Sequence, residues 1–335
     1  LRDVIEPKVA ANGRQRALVD ALYNKSELKL AYDSTMTRNA EEAFAARAGN
    51  CLSLVIMTAA FAKALDLGVT YQKVMVDDAI GRDGDIYFAI GHVNLTLARH
   101  FTDEMGYGFR TGKKRVEPDR MTIDFLPPED LRSVRTRTIE EDTVVAMYLN
   151  NRAVETLAHG DVVDAYWWAR AAVKRDPAFL PAVNTLGVVY ARHHDAAEAE
   201  RALRHVLERE PGNTLAMSNL VEVLAESGRV EESRRLAATL ARIDPEPPFS
   251  WYIRGMEALR RNDFRTAKDA FAKEVARAPD FHEFHFWLAI SLVGLGETDA
   301  ARDELELALE NSTTRRDHDV YAAKLARLKG GQSAH

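Results

Sequence analysis

The sequence predicts an α+β N-terminal domain followed by an all-α array of helical repeats. Three observations lead to this fold class: the chain has 335 residues, prolines recur at a constant interval in its second half, and its first half carries a long apolar helix pattern followed by alternating strand patterns. A single domain usually holds about 100–200 residues, so this length favours two domains. We expect the first domain over residues 1–140 and the second over residues 146–330.

The composition is typical of a folded, soluble protein. Hydrophobic residues make up 46% of the chain, charged residues make up 29%, and the formal net charge is −6. An acidic chain lacks the basic surface that phosphate binding needs, so we expect no nucleic-acid partner. The longest apolar run, Leu52 to Ala62, is too short to span a bilayer, which takes roughly 20 residues. The chain begins at Leu1, and a targeting segment could have been removed before it. A cytoplasmic and a periplasmic location are therefore both open.

Helices are predicted at the N-terminal end of the chain. Residues 14–30 and 39–48 have mixed polarity, whereas residues 51–65 are apolar on nearly all sides. A helix that is apolar all round is usually buried inside a domain. We therefore expect the helix over residues 51–65 in the core of the first domain.

Strands are predicted after this helix, beginning beyond Gly68. Asp83-Gly84 predicts a hairpin turn between the first two of them. The alternating segments are residues 71–76, 86–97 and 121–126. A buried helix followed by an antiparallel sheet is an α+β arrangement.

The remaining segments of this half are predicted to be irregular. Residues 101–119 contain three glycines and a basic cluster, which predicts a loop or a short ribbon. Pro127-Pro128 ends the domain, and the charged segment 129–142 is expected to link it to the second half.

The second half carries an internal repeat of 34 residues. Each repeat ends in a proline just after a helical apolar pattern, where proline stops a helix without breaking it. These prolines are Pro177, Pro211, Pro245 and Pro279. Upstream of them small residues recur at fixed positions, including Gly187 and Gly255. This order of large, small, aromatic, alanine and proline positions resembles the tetratricopeptide repeat, a helix–turn–helix unit of 34 residues.

The resemblance implies about five stacked repeats in a right-handed, concave array. Further copies begin near Ala146, Thr214 and His282, and Asp317 to Lys329 predicts a capping helix at the open end. The implied partner is a protein or peptide held in the concave groove. Most of the aromatic residues fall at packing positions, and one or two of them are expected to line the groove. They are Trp167, Trp168, Trp251, Tyr252, Phe286 and Trp287.

Cys51 is the only thiol, and it stands where a helix is predicted to begin. Asn50 is a suitable helix cap, and Gly49 allows a sharp turn before it. Unpaired N–H groups and the helix dipole at this position favour the thiolate, which is the nucleophilic form of cysteine. A buried cysteine that acts as a small hydrophobe is the alternative interpretation.

A histidine and an aspartate on neighbouring strands complete a possible catalytic set. His92 alternates with Val93 on its strand, so it lies on the polar face. Asp124 lies on the corresponding face of the next strand, opposite Ile123 and Phe125. A thiol, an imidazole and a carboxylate that meet in this way form a triad, in which His92 accepts the proton of Cys51 and Asp124 fixes the imidazole.

These residues resemble the transglutaminase-like superfamily of cysteine hydrolases, a papain-like group with the chain order Cys, His, Asp. The resemblance covers about residues 39–128 and lies in three short motifs, Arg47-Ala-Gly-Asn-Cys-Leu-Ser-Leu, Gly91-His-Val-Asn-Leu and Thr122-Ile-Asp-Phe-Leu-Pro. It implies that Cys51 is the nucleophile, His92 the base and Asp124 the orienting acid. The implied reaction is acyl transfer from peptide or glutamine amides to water or to an amine.

The chain also departs from that family. No glutamine lies between Gln15 and Gln72, although papain-like enzymes often place an oxyanion donor shortly before the cysteine. Losing one such donor typically costs about 100- to 1000-fold in rate. A non-catalytic adaptor that keeps the fold without the activity is therefore the alternative function.

Other polar residues are predicted to have solvated or structural roles. His100 and the turn residues Asp85, Asp103 and Asp119 are weaker partners for Cys51. The basic cluster is expected to form a solvated loop, and steering of an anionic substrate is the alternative. That cluster is Arg110, Lys113, Lys114, Arg115 and Arg120. The histidine pairs His193-His194 and His282 with His285 lack a third ligand, so we expect no metal. One cysteine excludes an internal disulfide, and no cofactor motif is present.

Overall fold

The computed structural model gives two compact units, Leu1–Ala238 and Thr239–His335, and each is described by itself. This division differs from the predicted domains 1–140 and 146–330, whose boundaries remain a prediction. The structure describes residue 5 and residues 7–9, 13–23, 30–33, 36–83, 86–99, 120–125, 135–246, 249–279, 281–312 and 315–331.

The first unit begins with short helices and a two-residue pairing that leads into the apolar helix. Strands β1 (Ala31–Tyr32) and β2 (Ala48–Gly49) pair in parallel, and β2 ends just before the apolar helix. Helix α1 covers Arg14–Tyr23, α2 covers Ala40–Ala46 and α3 covers Cys51–Ala64. The predicted helices over 39–48 and 51–65 are thus present with close to the expected bounds, whereas residues 24–29 of the first prediction lie outside the described residues.

A four-stranded antiparallel sheet packs against α3. Its strands are β3 (Leu67–Asp83), β4 (Ile86–Arg99), β5 (Met121–Ile123) and β6 (Arg135–Ile139), in the spatial order β5-β4-β3-β6. The apolar sides of α3 and of β4 share one core, in which Val55, Leu95 and Leu97 are fully buried. The α+β character expected for this region is present as a small sheet with helices.

The β3–β4 hairpin is longer than the sequence predicts and contains a register shift. Val74 pairs with His92, but the next pair is Ala79 with Ile90, so β3 carries extra residues beside His92. Such bulges bend a strand and re-aim its side chains. The strand predicted over 121–126 is shorter, with Asp124 just beyond its end.

The charged segment 129–142 is not simply a linker, and this part of the prediction is wrong. Arg135–Ile139 forms β6, which pairs antiparallel with β3 from Tyr71↔Ile139 to Met75↔Arg135. Threonine and isoleucine favour strands, and Ile139 is buried while Arg137 stays exposed, as on an edge strand. The basic segment 101–119 and Pro127-Pro128 lie outside the described residues.

The rest of the first unit consists of helices that pack as successive pairs. They are α4 (Glu141–Ala158), α5 (Val162–Arg175), α6 (Leu180–Arg192), α7 (Ala196–Arg209), α8 (Thr214–Glu226) and α9 (Val230–Ile243), whose last residues fall in the second unit. The second unit continues with α10 (Ser250–Arg260), α11 (Phe264–Arg277), α12 (His282–Gly294), α13 (Thr298–Glu310) and α14 (Arg315–Gly331). Helix α14 includes the predicted capping segment.

The repeat signals of the sequence have clear structural counterparts. Helices α5, α7, α9 and α11 each end two residues before one of the four spaced prolines. The repeat glycines allow close approach of paired helices: a Cβ on Gly187 would lie 2.9 Å from Leu203, and one on Gly255 would lie 2.6 Å from the Phe271 ring. Close packing of the paired helices is therefore the reason for a small residue at both positions.

Candidate functional site

Cys51 is the first residue of α3, and its helix is capped by Asn50. The Asn50 Oδ1 atom accepts hydrogen bonds from the Ser53 backbone N–H at 2.9 Å and from the Ser53 hydroxyl at 2.8 Å. The predicted cap is therefore formed. Cys51 is a free cysteine and is partly exposed.

Gly49 is needed for close packing rather than for the sharp turn that the sequence predicts. Its φ is not positive, but a Cβ there would lie 2.7 Å from the Ser53 Cβ. Contacts this short do not occur between real side chains, so a larger residue would displace Ser53 and with it the capped first turn of α3.

His92 and Asp124 lie together on the polar face of the sheet. Because Leu95 pairs with Ile123, Asp124 follows directly at the edge of β4. The His92 Nε2 and Asp124 Oδ1 atoms are 2.7 Å apart, and both side chains are more than nine-tenths buried. The second Asp124 oxygen, Oδ2, accepts a hydrogen bond from the Asn94 amide at 2.8 Å.

The Cys51 thiol lies near enough to the imidazole of His92 to affect its pKa. Burial by itself lowers the pKa of His92, but the hydrogen bond to Asp124, the neighbouring Cys51 and the charge of the Asp124 carboxylate raise it to about 9. At neutral pH the ring is therefore protonated, which is the form that pairs with a thiolate.

Two residues near this site were not selected from the sequence. Asn94, two positions after His92 on the same face of β4, holds Asp124; the alternation of the strand was the signal that could have identified it. Tyr32 pairs with Gly49 across the β1–β2 bridge. Desolvation and the nearby Cys51 raise the pKa of Tyr32 to about 12, although 58% of the residue surface is exposed. No short-range pattern connects Tyr32 with Cys51.

The competing assignments have different outcomes. His100, Asp85, Asp103, Asp119 and all of the basic cluster except Arg120 lie outside the described residues. Within the described part of the chain, no group of three histidine, cysteine, aspartate or glutamate residues is arranged to hold a metal ion. The second histidine pair has structural partners: His282 Nδ1 is 2.8 Å from the Tyr321 hydroxyl, and His285 bonds Glu304.

The helical pairs offer a polar cavity and exposed aromatic residues. A cavity of about 300 Å³ lies between α6, α7 and α8 and is lined by Arg192, His194, Asn219, Glu222 and Glu226 among others. Trp167 is 57% exposed, so it is not a core residue, whereas the Trp251 ring carries the Lys273 ammonium at 3.4 Å from its centre. No described helix is long and apolar enough to cross a membrane.

Comparison with known proteins bears on the helical half. Residues 190–250 and 252–315 each match a family model of the tetratricopeptide repeat. A TPR repeat-containing protein of Pseudomonas aeruginosa is 27% identical over 151 residues, which are 44% of this chain and 25% of the relative. The chain thus spans about a quarter of the length of that curated relative.

Two solved structures of tetratricopeptide-repeat proteins are also similar. One, from Thermus thermophilus, is 20% identical, with 54% of this chain and 99% of the other chain covered and a TM-score of 0.38. The other, from Parabacteroides merdae, is 20% identical, with 56% and 74% covered and a TM-score of 0.30. At these levels the two structures carry no information about activity. On the strength of the family models, the predicted tetratricopeptide repeats are confirmed.

Proposed function

We propose that this repeat protein is a thiol-dependent acyl-transfer enzyme of the transglutaminase-like kind, whose repeats recruit the protein substrate or a partner. The observation that supports it best is the His92 imidazole, which pairs with Asp124 at 2.7 Å and has Cys51 as a neighbour that helps raise its pKa. A partly exposed cysteine at a helix start, a protonated imidazole and a buried carboxylate have the chemistry of an activated thiol nucleophile.

The roles of the three groups follow from this arrangement. The Cys51 thiolate attacks the carbonyl carbon of an amide, and a carbon–sulfur bond forms as the carbonyl electrons move to oxygen. When the intermediate collapses, the carbon–nitrogen bond breaks and His92 gives its proton to the departing amine, which leaves an acyl-enzyme. His92 then takes a proton from water or from an amine, whose attack releases the product and the thiolate.

Asp124 and Asn94 keep the imidazole in the orientation that these steps need. The carboxylate accepts the Nε2 proton of His92, while Asn94 occupies its other oxygen and prevents it from rotating. The negative charge of Asp124 also favours the imidazolium form. The substrate class, peptide or glutamine amides, comes from the resemblance of the three motifs, and the choice between water and an amine decides between hydrolysis and transamidation.

The reactivity of Cys51 in the wild-type chain tests the proposal. Cys51 is the only cysteine, so a mildly electrophilic probe such as a peptide vinyl sulfone can react with no other thiol. We expect the folded chain to be labelled at Cys51 much faster than the same chain unfolded in urea at the same pH. Mass spectrometry locates the adduct, and Cys51→Ser serves as the blank. Equal rates for the folded and unfolded chains would refute an activated thiol.

A second candidate function is a non-catalytic adaptor. It is favoured by the family matches, both of which fall in the repeats and outside the elements that carry Cys51, His92 and Asp124. Protein binding is the usual role of such repeats. A host strain that carries the Cys51→Ser variant in place of the wild-type protein distinguishes the two functions. An unchanged phenotype would support the adaptor, and a phenotype equal to that of the deletion would support the enzyme.

A further inference from the structure

A short irregular segment around Thr37 connects the start of the cysteine helix with α4. Thr37 is fully buried although its side chain is polar. The Asn50 amide donates to the Thr37 hydroxyl at 2.8 Å, and on the other side the Thr37 backbone N–H donates to Glu155 Oε1 at 2.7 Å. The cap of α3 is thereby joined through one residue to the last turn of α4.

Hydrogen bonds fill both acceptor sites of the Thr37 hydroxyl. It accepts from the Asn50 amide and from the Asn151 amide at 3.2 Å. The Thr37 backbone N–H is bound separately by Glu155. Arg152 adds a bond to the Thr37 carbonyl at 3.4 Å. Thr37 therefore has one defined orientation.

The orientation of Asn50 depends on that of Thr37. A helix cap needs the amide oxygen of Asn50 to face the Ser53 N–H, and the amide nitrogen must then face away from the helix. The Thr37 hydroxyl receives that nitrogen. Without it, the amide is held only by the bonds that its oxygen accepts from Ser53, and the cap over the first turn that carries Cys51 is weakened.

We propose that Glu155 is a positioning residue for the thiol: through Thr37 it fixes the Asn50 cap and thereby keeps the first turn of α3 in the form that stabilises the Cys51 thiolate. The inference rests on the proposed function, because it assigns a further residue to the same site. It makes α4, the helix that leads into the repeats, a structural part of the site. The carboxylate is half-buried, and burial raises the pKa of Glu155 despite the bonds from Thr37.

Two pairs of variants test this inference in the full-length chain. Glu155→Ala and Glu141→Ala remove the same group from the same helix, but Glu141 binds Lys63, at the opposite end of α3 from Cys51. Thr37→Val removes the hydroxyl at nearly constant volume, and Thr37→Ser restores it. The measurement is the rate of Cys51 alkylation by iodoacetamide between pH 5 and 9, with far-ultraviolet circular dichroism to verify folding.

We expect Glu155→Ala and Thr37→Val to lower the rate of alkylation at pH 6 about fivefold and to move the rise of the pH profile to higher pH. A change of about fivefold corresponds to the free energy that loss of a helix cap typically costs. Glu141→Ala and Thr37→Ser should match wild type. If Glu155→Ala does not fold, the threonine pair decides. If Glu155→Ala and Thr37→Val are both alkylated at the wild-type rate, while folded wild type still reacts faster than the unfolded chain, this inference alone is overturned. If folded wild type reacts no faster than the unfolded chain, the proposed function is overturned as well.

Discussion

Among the residues that the structure describes, two buried histidines pair with a carboxylate, one in each unit, and they differ in their other neighbours. His92 Nε2 lies 2.7 Å from Asp124, and His285 Nδ1 lies 2.6 Å from Glu304. The other nitrogen of His285 lies 2.6 Å from the Pro279 carbonyl oxygen, whereas His92 has Cys51 as a neighbour that helps raise its pKa.

The comparison shows that a buried histidine paired with a carboxylate does not by itself make a reactive site. His285 ties three parts of its unit together: α12, α13 and the turn that contains Pro279. Its ring is held by acceptors on both sides and has no reactive neighbour. His92 is held on one side only, and its other side faces a group that can exchange a proton and attack a carbonyl.

The largest expected effect concerns stability against pH and belongs to His92. Its pKa of about 9 in the folded chain exceeds the ordinary 6.5, so its contribution to the free energy of unfolding is complete below pH 6.5 and is lost as the pH rises through 9. The shift corresponds to at most about 3 kcal/mol. Urea unfolding of wild type and His92→Gln across this range measures the difference, and a constant difference would contradict the raised pKa.

Replacing each of the two histidines by alanine distinguishes the two pairs by the effect on the reactivity of Cys51. His92→Ala should lower the rate of Cys51 alkylation at pH 6 about 100-fold, since an ordinary thiol is less than about 1% thiolate at that pH. His285→Ala should leave the rate unchanged while it lowers stability, because Glu304 loses its partner. Equal alkylation rates in the two variants would remove the distinction between the pairs.

The two units also contain glycines with comparable steric constraints. A Cβ would lie 2.7 Å from Ser53 at Gly49 and 2.6 Å from the buried Phe271 ring at Gly255. Both Gly→Ala variants should lose about 2 kcal/mol of stability through overpacking. Only Gly49→Ala should also slow the alkylation of Cys51, because Ser53 belongs to the capped turn; a normal rate in a folded Gly49→Ala chain would show that the turn does not set reactivity.

The smallest expected effect comes from neutralising the carboxylates. Asp124→Asn keeps the shape of the side chain but removes the charge that favours the imidazolium, so the rate of alkylation at pH 6 should fall about tenfold. Glu304→Gln is the matched change in the other pair and should not affect the rate. Nuclear magnetic resonance titration of the His92 ring should show a lower pKa in Asp124→Asn, and an unaltered titration would separate Asp124 from the imidazole.

Much of the architecture could be predicted because its signals are local or periodic. The spacing of the prolines fixed the ends of four helices, and the apolar run after Cys51 predicted α3 almost to its last residue. The alternation around His92 and Asp124 predicted their shared face. The strand β6 was missed, since a charged edge strand exposes most of its side chains and lacks the apolar pattern that identifies central strands.

The amino-acid order by itself determined the periodic helices, the cap at Asn50 and the polar faces that carry His92 and Asp124. Only the tertiary structure decided that these faces meet, that Asn94 holds Asp124 and that Glu155, more than 100 residues away, reaches Thr37. The physical reason is that capping and alternation act between residues a few positions apart, whereas hydrogen bonds across the core depend on how separately formed elements pack.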